Sequence, residues 1–176
     1  DAKLREPFCK EFSLRGYVSL DDLLAKEKIE VAAIFLPHAD CPAAAEDCAA
    51  RGIHLMVEKP MAASSAGARR IADAAKKVNT ADASGICMRG KPGWGDLFAP
   101  LTTVVQTFGG SWYDMEWNAT VNTPEWKEAI TFYKTMLDES GQADPVSYSF
   151  NECLTALKEG KTAMWADASV AASMLE

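Results

Sequence analysis

The stretch "VAAIFLPHADCPAAAEDCAARGIHLMVEKP", residues 31–60, decides the fold class of this chain of 176 residues. It begins with six apolar residues, which is typical of a strand buried on both faces. An alanine-rich segment follows, with Pro42 near its start and Gly52 at its end, and this pattern predicts a helix. "IHLMV" predicts a second buried strand. A strand, a helix and a strand with short connections predict parallel pairing through a right-handed crossover.

Helices are predicted on both sides of this unit. Ser19, followed three residues later by Asp22, marks a helix start before it, and Ser64 or Ser65 begins a helix through "AGARRIADAAKKV" after it. The predicted fold class is therefore α/β. We expect a three-layer sandwich around a parallel sheet, Rossmann-like or periplasmic-binding-protein-like in type.

The second part of the chain also alternates helices with extended segments. Helices are predicted over about 96–108 and, capped by Thr123 and Pro124, over about 124–140. The aromatic segment "SWYDMEWN" between them predicts an extended or hairpin-like piece. A short helix before Gly160, a strand over 161–167 and a last helix beginning in "ASVAASMLE" complete the pattern. The strands of the two parts are expected either to share one composite sheet or to form two subdomains.

Charge and aromatic residues divide the chain unevenly. Residues 1–79 hold 12 Lys and Arg against 12 Asp and Glu, whereas residues 80–176 hold 6 against 13. All five tryptophans lie beyond residue 90. The net charge of −7 argues against nucleic acid as a partner, because a phosphate-binding surface needs clustered cations. The shift in composition predicts two segments of different origin joined near residues 76–85, with domains at 1–80 and 81–176.

The cysteines and histidines suggest no metal chemistry. The five cysteines are odd in number and lack CxxC spacing, which favours buried free thiols and leaves one disulfide as the alternative. His38 and His54 lack partners at ligand spacing, so no metal site is expected. No apolar run approaches the length of a membrane span, and the first residues lack the apolar core of a signal peptide, so no membrane insertion is expected.

Residues of about 15–79 resemble part of a known enzyme family. The order of a strand ending in proline and a polar residue, an alanine-rich helix and a strand ending in Glu-Lys-Pro resembles the later half of the Rossmann domain in the Gfo/Idh/MocA family of NAD(P)-dependent sugar oxidoreductases. The resemblance implies catalytic roles for Glu58 and Lys59. It also implies that Pro37 and His38 flank the cofactor. An ammonium beside a reacting hydroxyl can lower its pKa and help a hydride leave.

Residues of about 85–176 resemble a different family. "RGKPGWGDLFAPL", "FGGSWYDMEWN", "TPEWKEA" and "KTAMWADAS" occur in an order similar to the second lobe of family 1 extracellular solute-binding proteins of ABC transporters, most closely the sorbitol/mannitol-binding branch. Aromatic faces against C–H surfaces and polar groups that pair hydroxyls would bind a polyol. The resemblance nominates five ligand-binding residues: Arg89, Trp94, Trp112, Trp165 and Asp167. Structural alternatives are core packing for Trp112 and Trp117, a helix cap for Asp167 and a surface cation for Arg89.

Each resemblance lacks a part that its family uses. A dinucleotide site needs a glycine-rich turn for the pyrophosphate, and nothing upstream of residue 19 contains GxGxxG. Solute-binding proteins close two lobes around a ligand, and only the second is recognised here. The expected function is therefore that of a chimera, engineered or recombined, without a complete active site and with weak polyol or sugar binding at best. The alternatives are the polyol-binding component of an ABC transporter and an NAD(P)-dependent oxidoreductase.

The remaining expectations follow from the same reading. No cofactor is expected, although the first resemblance would imply NAD(P). Because the glycine-rich turn is missing, the sequence does not establish an enzyme and favours a protein without catalytic activity. The location is unknown: periplasmic if the transporter-like half dictates it, cytoplasmic if the chain is a recombinant product. Exposed edges of a parallel sheet would allow a homodimer.

Overall fold

A computed structural model describes residues 2–175 and divides the chain into two compact units, residues 1–30 and 31–176. The described residues form seven α-helices and four strands in the order α1 (Ala2–Glu11), α2 (Leu20–Lys26), β1 (Val31–Ile34), α3 (Cys41–Ala50), β2 (His54–Glu58), α4 (Ser65–Val78), β3 (Ser84–Cys87), α5 (Phe98–Thr107), α6 (Pro124–Ser140), α7 (Phe150–Lys158) and β4 (Thr162–Asp167). Short 3-10 helices lie at Pro145–Ser147 and Ser169–Met174. None of the helices in residues 2–175 has the length and apolar character to cross a membrane.

The first unit is a pair of helices. α2 begins as predicted, because the Ser19 hydroxyl accepts a hydrogen bond of 3.1 Å from the Asp22 amide. The Glu27 carboxylate then receives the Tyr17 hydroxyl and pairs with Arg15. Neither α1 nor α2 contains a fully buried residue. The first unit therefore holds its shape through caps and polar contacts rather than through a core of its own.

The second unit is built on one parallel sheet with the strand order β1-β2-β4-β3. β4, the last strand along the chain, lies between β2 and β3. This arrangement confirms the predicted α/β class with a parallel sheet, and it shows that strands from both predicted segments share one composite sheet. The sheet therefore continues across residue 80, the predicted boundary between domains.

Helices cover the two faces of the sheet unequally. α3 packs against β1 and β2, and α4 and α6 pack against β3. On the other face, α7 packs against β3 and β4, and the terminal 3-10 helix (Ser169–Met174) packs against β2. Gly85 explains the close fit of α4, since a Cβ at this position would lie 2.0 Å from the Ala75 carbonyl oxygen. Helices thus cover the first face over all four strands. On the second face they cover β2, β4 and β3 and leave β1 largely uncovered.

A disulfide joins β3 to α7, and it corrects the expectation that all cysteines are free. Cys87 and Cys153 are both fully buried, and their Cα atoms lie 5.5 Å apart. They belong to a cluster on the α7 face that includes Met56, Leu157 and Trp165. Cys41 and Cys48 are buried free thiols, and Cys9 is half-buried. The pairing could not be read from spacing, because 66 residues separate the two cysteines.

Two local predictions need adjustment, and a third is confirmed. The helix expected over about 96–108 is shorter, Phe98–Thr107. The segment predicted to be extended or hairpin-like forms a short turn closed by an antiparallel bridge between Tyr113 and Ala119. The last segment is a 3-10 helix instead of an α-helix.

Candidate functional site

The carboxyl edge of the sheet brings together polar residues from both predicted segments. β2 ends at Glu58 and β4 ends at Asp167, and these two residues are direct partners in the parallel pairing. The Lys59 amide also donates a hydrogen bond of 3.2 Å to the Asp167 carbonyl. Arg89 lies two residues beyond β3. Ligands of open α/β sheets bind outside the carboxyl ends of the strands, so this edge is the candidate site.

Arg89 and Asp167 form a buried bidentate ion pair. Arg89 Nε and Nη2 donate to the two carboxylate oxygens of Asp167 at 2.7 and 2.6 Å. The Arg89 side chain is 11% exposed and that of Asp167 is 1% exposed. Asp167 Oδ1 also accepts a hydrogen bond of 2.7 Å from the Ala168 amide. Arg89 is therefore not the surface cation of the structural alternative, and both side chains are largely satisfied within the protein.

Two aromatic residues complete the surroundings of Arg89. The Phe150 ring lies 5.0 Å from the guanidinium carbon, at cation–π distance. The Tyr133 hydroxyl donates a hydrogen bond of 2.8 Å to the Arg89 carbonyl. Burial, together with the nearby Asp167 carboxylate, raises the pKa of the Tyr133 phenol well above its usual range. Sequence reasoning missed both residues, because a helical pattern shows that Tyr133 faces inward but not which carbonyl it reaches.

The loop after β3 presents Trp94 beside this ion pair. Arg89 Nη1 donates a hydrogen bond of 2.8 Å to the Gly95 carbonyl, and Asp96 accepts the Ser149 hydroxyl. These contacts hold the loop at two adjacent residues, directly after Trp94. Trp94 itself is 76% exposed. The loop therefore holds a large aromatic face in solvent at the carboxyl edge.

Trp94 belongs to an aromatic cluster with a buried base. Its ring centroid lies 5.9 Å from that of the half-buried Trp112, which meets the Trp126 ring edge-on at 4.7 Å. Trp126 is buried and donates its indole N–H to the Ser111 carbonyl at 2.6 Å. Trp112 thus bridges core and surface, whereas Trp117 is 80% exposed and is not the core residue of the alternative reading.

Trp165 lies in the core, where it cannot meet a ligand. It is fully buried in β4 and packs edge-on against Phe150 with ring centroids 5.0 Å apart. Its indole nitrogen has no hydrogen-bond partner among the described residues. The apolar neighbours of Trp165 in "AMWA" indicated this position, because a continuous apolar run is typical of a strand buried on both faces. Trp165 supports the site from below, through Phe150 and Arg89.

The residues nominated by the oxidoreductase resemblance lie at the same edge but are tied less firmly. Glu58 is half-buried and accepts the Ser169 amide, so Glu58, rather than Asp167, caps the terminal 3-10 helix. The Lys59 side chain has no hydrogen bond or ion pair within residues 2–175, and its peptide bond to Pro60 is cis. No group of three or more potential metal ligands occurs among these residues.

Pro37 and His38 follow β1 at this edge. The His38 carbonyl accepts the Ala63 amide at 3.2 Å, which connects the turn after β1 to the turn after β2. Its ring nitrogen Nδ1 is buried without a partner among the described residues. Pro37 is exposed. The four nominated residues therefore line one edge, without the network of hydrogen bonds that surrounds Arg89.

Residues 69–175 match the family of bacterial extracellular solute-binding proteins, and the chain belongs to this family. Residues 1–83 match the oxidoreductase family with an NAD-binding Rossmann fold. The two matches confirm both predicted resemblances, with a partial oxidoreductase segment preceding a solute-binding segment. They overlap over residues 69–83, so that most of α4 and the connection from α4 to β3 match both families.

Individual relatives match parts of the chain. The mannitol-binding protein of Pseudomonas aeruginosa is 39% identical over 108 residues, which cover 60% of this chain and 25% of the relative. A solute-binding protein of Agrobacterium vitis, solved with bound D-mannitol, is 39% identical, with a TM-score of 0.58 over 60% of this chain and 26% of its own. The WlbA dehydrogenase of Chromobacterium violaceum, solved with NADH and UDP-GlcNAcA, is 28% identical over 44% of this chain and 23% of its own, with a TM-score of 0.42. The chain thus spans about a quarter of the length of each relative.

Proposed function

We propose that this chain binds a small polyol at the carboxyl edge of its sheet, as part of the solute-binding component of an ABC transporter. This is the alternative function of the sequence analysis, and the relatives favour it over an inert recombined chain. The observation that carries it is the exposed Trp94 face, which rests on Trp112 and stands beside the buried Arg89–Asp167 pair. A flat aromatic face covers the C–H side of a polyol, as sugar-binding sites require.

The proposed polyol binding is weak, because only the second lobe of a solute-binding protein is recognised in this chain. Two-lobed receptors gain affinity when closure buries the ligand from both sides. Three of the five N–H donors of Arg89 are engaged by Asp167 and Gly95, so its main role in this proposal is to order the loop. We therefore assign Arg89 and Asp167 as positioning residues, and Trp94 and Trp112 as ligand-contacting residues. The expected dissociation constant for mannitol is about millimolar.

The test is a titration of the full chain with mannitol and sorbitol, followed through the indole N–H signals of its five tryptophans by NMR. Saturable shifts are expected for Trp94 and Trp112, and none for Trp165, which is buried away from the edge. Trp94→Ala should weaken binding at least about tenfold, because the stacking face is lost. Trp117→Ala is the matched control, since Trp117 is equally exposed but packs against Tyr113 instead of Trp94. Shifts that do not saturate, or equal losses in both variants, would refute the polyol site.

NAD(H) is the second candidate ligand, because residues 1–83 match a family with an NAD-binding fold. Pro37, His38, Glu58 and Lys59 are the residues that the oxidoreductase resemblance nominates for the nicotinamide end of the cofactor. The 176 residues contain no glycine-rich turn after a strand to hold a pyrophosphate, so they fit only part of the group and no catalytic step is assigned. Titration with NADH tests this candidate. Saturable binding that Lys59→Met abolishes would favour it over the polyol.

A further inference from the structure

The two edge strands of the sheet, β1 and β3, differ in whether side chains form hydrogen bonds with their backbone groups. At β3, side-chain amides form hydrogen bonds with backbone groups. Asn79 Oδ1 accepts a hydrogen bond of 2.9 Å from the Gly85 amide. Gln142 accepts the Met88 amide at 3.3 Å and donates to the Met88 carbonyl at 2.7 Å. These bonds prevent another strand from pairing along β3.

β1 carries no such protection. It pairs with β2 on one side only, and none of the described residues adds a strand on the other. Residues 31–36 contain no charged residue and no proline, the features by which edge strands usually avoid association. Val31, Phe35 and Leu36 are 40%, 51% and 45% exposed. β1 is therefore an open, apolar edge in an otherwise closed sheet.

Val31 and Ala33, the exposed residues within β1, share one face of the sheet. Ala33 pairs with Met56, which packs in the cluster of Trp165 and Cys87 on the α7 face. Since side chains alternate along a strand, Val31 and Ala33 point to that same face, and Phe35 would join them if pairing extended β1 by one residue. Ile34, which points to the α3 face, is buried. The uncovered stripe of β1 thus continues the apolar interior surface that α7 and the terminal 3-10 helix cover elsewhere.

We propose that a second copy of this chain pairs with β1 in an antiparallel, two-fold arrangement centred on Ala33. Two-fold pairing at this residue places Val31 of one copy opposite Phe35 of the other on the exposed face. Pairs of a β-branched and an aromatic residue are favourable across strands. The only side chain that meets itself is the small Ala33, so the stripe is complementary to its own copy.

The capped edge at β3 determines the size of the assembly. With two open edges, sheets would join end to end into filaments, whereas one open edge with two-fold pairing closes at a dimer. The dimer would contain a continuous sheet of eight strands, four from each copy. The proposal is independent of polyol binding, because β1 and the Trp94 loop belong to different parts of the sheet.

The test compares the mass of the full chain in solution with that of charged variants, by light scattering and sedimentation from about 1 to about 100 µM. The chain should reach twice its mass of 19.1 kDa at the upper concentrations. Ala33→Lys should raise the dimer dissociation constant at least about tenfold, because like charges then meet at the two-fold axis. Ala33→Glu should do the same, and mixing the two variants should restore the dimer. Ala81→Lys, at an exposed alanine before β3, is the matched control and should leave the dimer intact.

A second measurement needs no variant. Hydrogen exchange of residues 31–36 should slow as the concentration of the unaltered chain rises, while exchange of residues 84–88 should not change. A chain that stays monomeric up to 100 µM would overturn the proposal. A dimer that is indifferent to charge at Ala33, or that protects residues 84–88 instead, would overturn it as well.

Discussion

At the carboxyl edge of the sheet, the residues from the solute-binding segment and those from the oxidoreductase segment are held differently. Arg89 and Asp167 satisfy each other in a buried pair, and a neighbouring disulfide fixes β3 to α7. Glu58, Lys59 and His38 have few side-chain bonds, and Lys59 has none among the described residues. The comparison indicates that sheet topology alone brought the second group to this edge, whereas specific contacts built the first group into it.

Breaking the buried pair should have the largest effect. Arg89→Met leaves the Asp167 carboxylate buried without a cation, which should lower the free energy of unfolding by about 3–5 kcal/mol. The matched control is Arg70→Met, since Arg70 also contacts Glu46 in a bidentate manner, but with side chains 49% and 39% exposed. This control should cost less than about 1 kcal/mol. Urea denaturation measures both, and equal losses would show that burial of the first pair carries no special weight.

Removing the disulfide should have the next largest effect. Cys87→Ala combined with Cys153→Ala frees a loop of 66 residues in the unfolded chain and should cost about 2–4 kcal/mol. Urea denaturation again gives the value. The control is Cys48→Ala in α3, a buried free thiol in the oxidoreductase segment, which loses packing but no cross-link. A double variant as stable as the Cys48 control would mean that the cross-link does not stabilise the solute-binding segment.

Alkaline pH should produce the smallest change in stability. In contrast to the first two predictions, this change should arise in the oxidoreductase segment. Burial raises the pKa of the Cys41 and Cys48 thiols, both in α3. Thiols with a raised pKa stabilise the fold below the pKa of the unfolded thiol, about 8.5, and this contribution is lost as pH rises toward the folded value. Stability should therefore decline between about pH 8.5 and 10, before the Tyr133 phenol begins to contribute. Unfolding measured across this window should flatten in the Cys41→Ala and Cys48→Ala double variant, and an unchanged slope would contradict the assignment.

The sequence predicted elements better than it predicted their arrangement. The apolar runs that became β1, β2 and β4 are visible because buried parallel strands need continuous apolar residues. Helix caps depend on local sequence. The cap at Ser19 was predicted correctly, and the cap at Ser64 was one of the two residues predicted. The insertion of β4 between β2 and β3 has no local signal, since it depends on pairing over a hundred residues.

The site residues show the same limit. Arg89, Trp94 and Asp167 were nominated by resemblance, and the structure brings them to one edge. Their contacts could not be predicted, because no sequence pattern indicates that Arg89 forms an ion pair with Asp167. Nor does any pattern indicate that the Phe150 ring packs against the Arg89 guanidinium. Trp165 was nominated for a ligand although its neighbours in the strand indicated a core position.

The position of β4 within the sheet has a consequence for synthesis on the ribosome. β2 has β1 as a neighbour early, but β3 has no strand to pair with until residues 162–167 emerge. Until then, α4 and the apolar residues of β3 wait without their sheet, as pairing between distant segments forms late. The apolar residues of β3 therefore stay without a strand partner while residues 88–161 are synthesised, and β4, which joins β2 to β3, is the last strand to arrive.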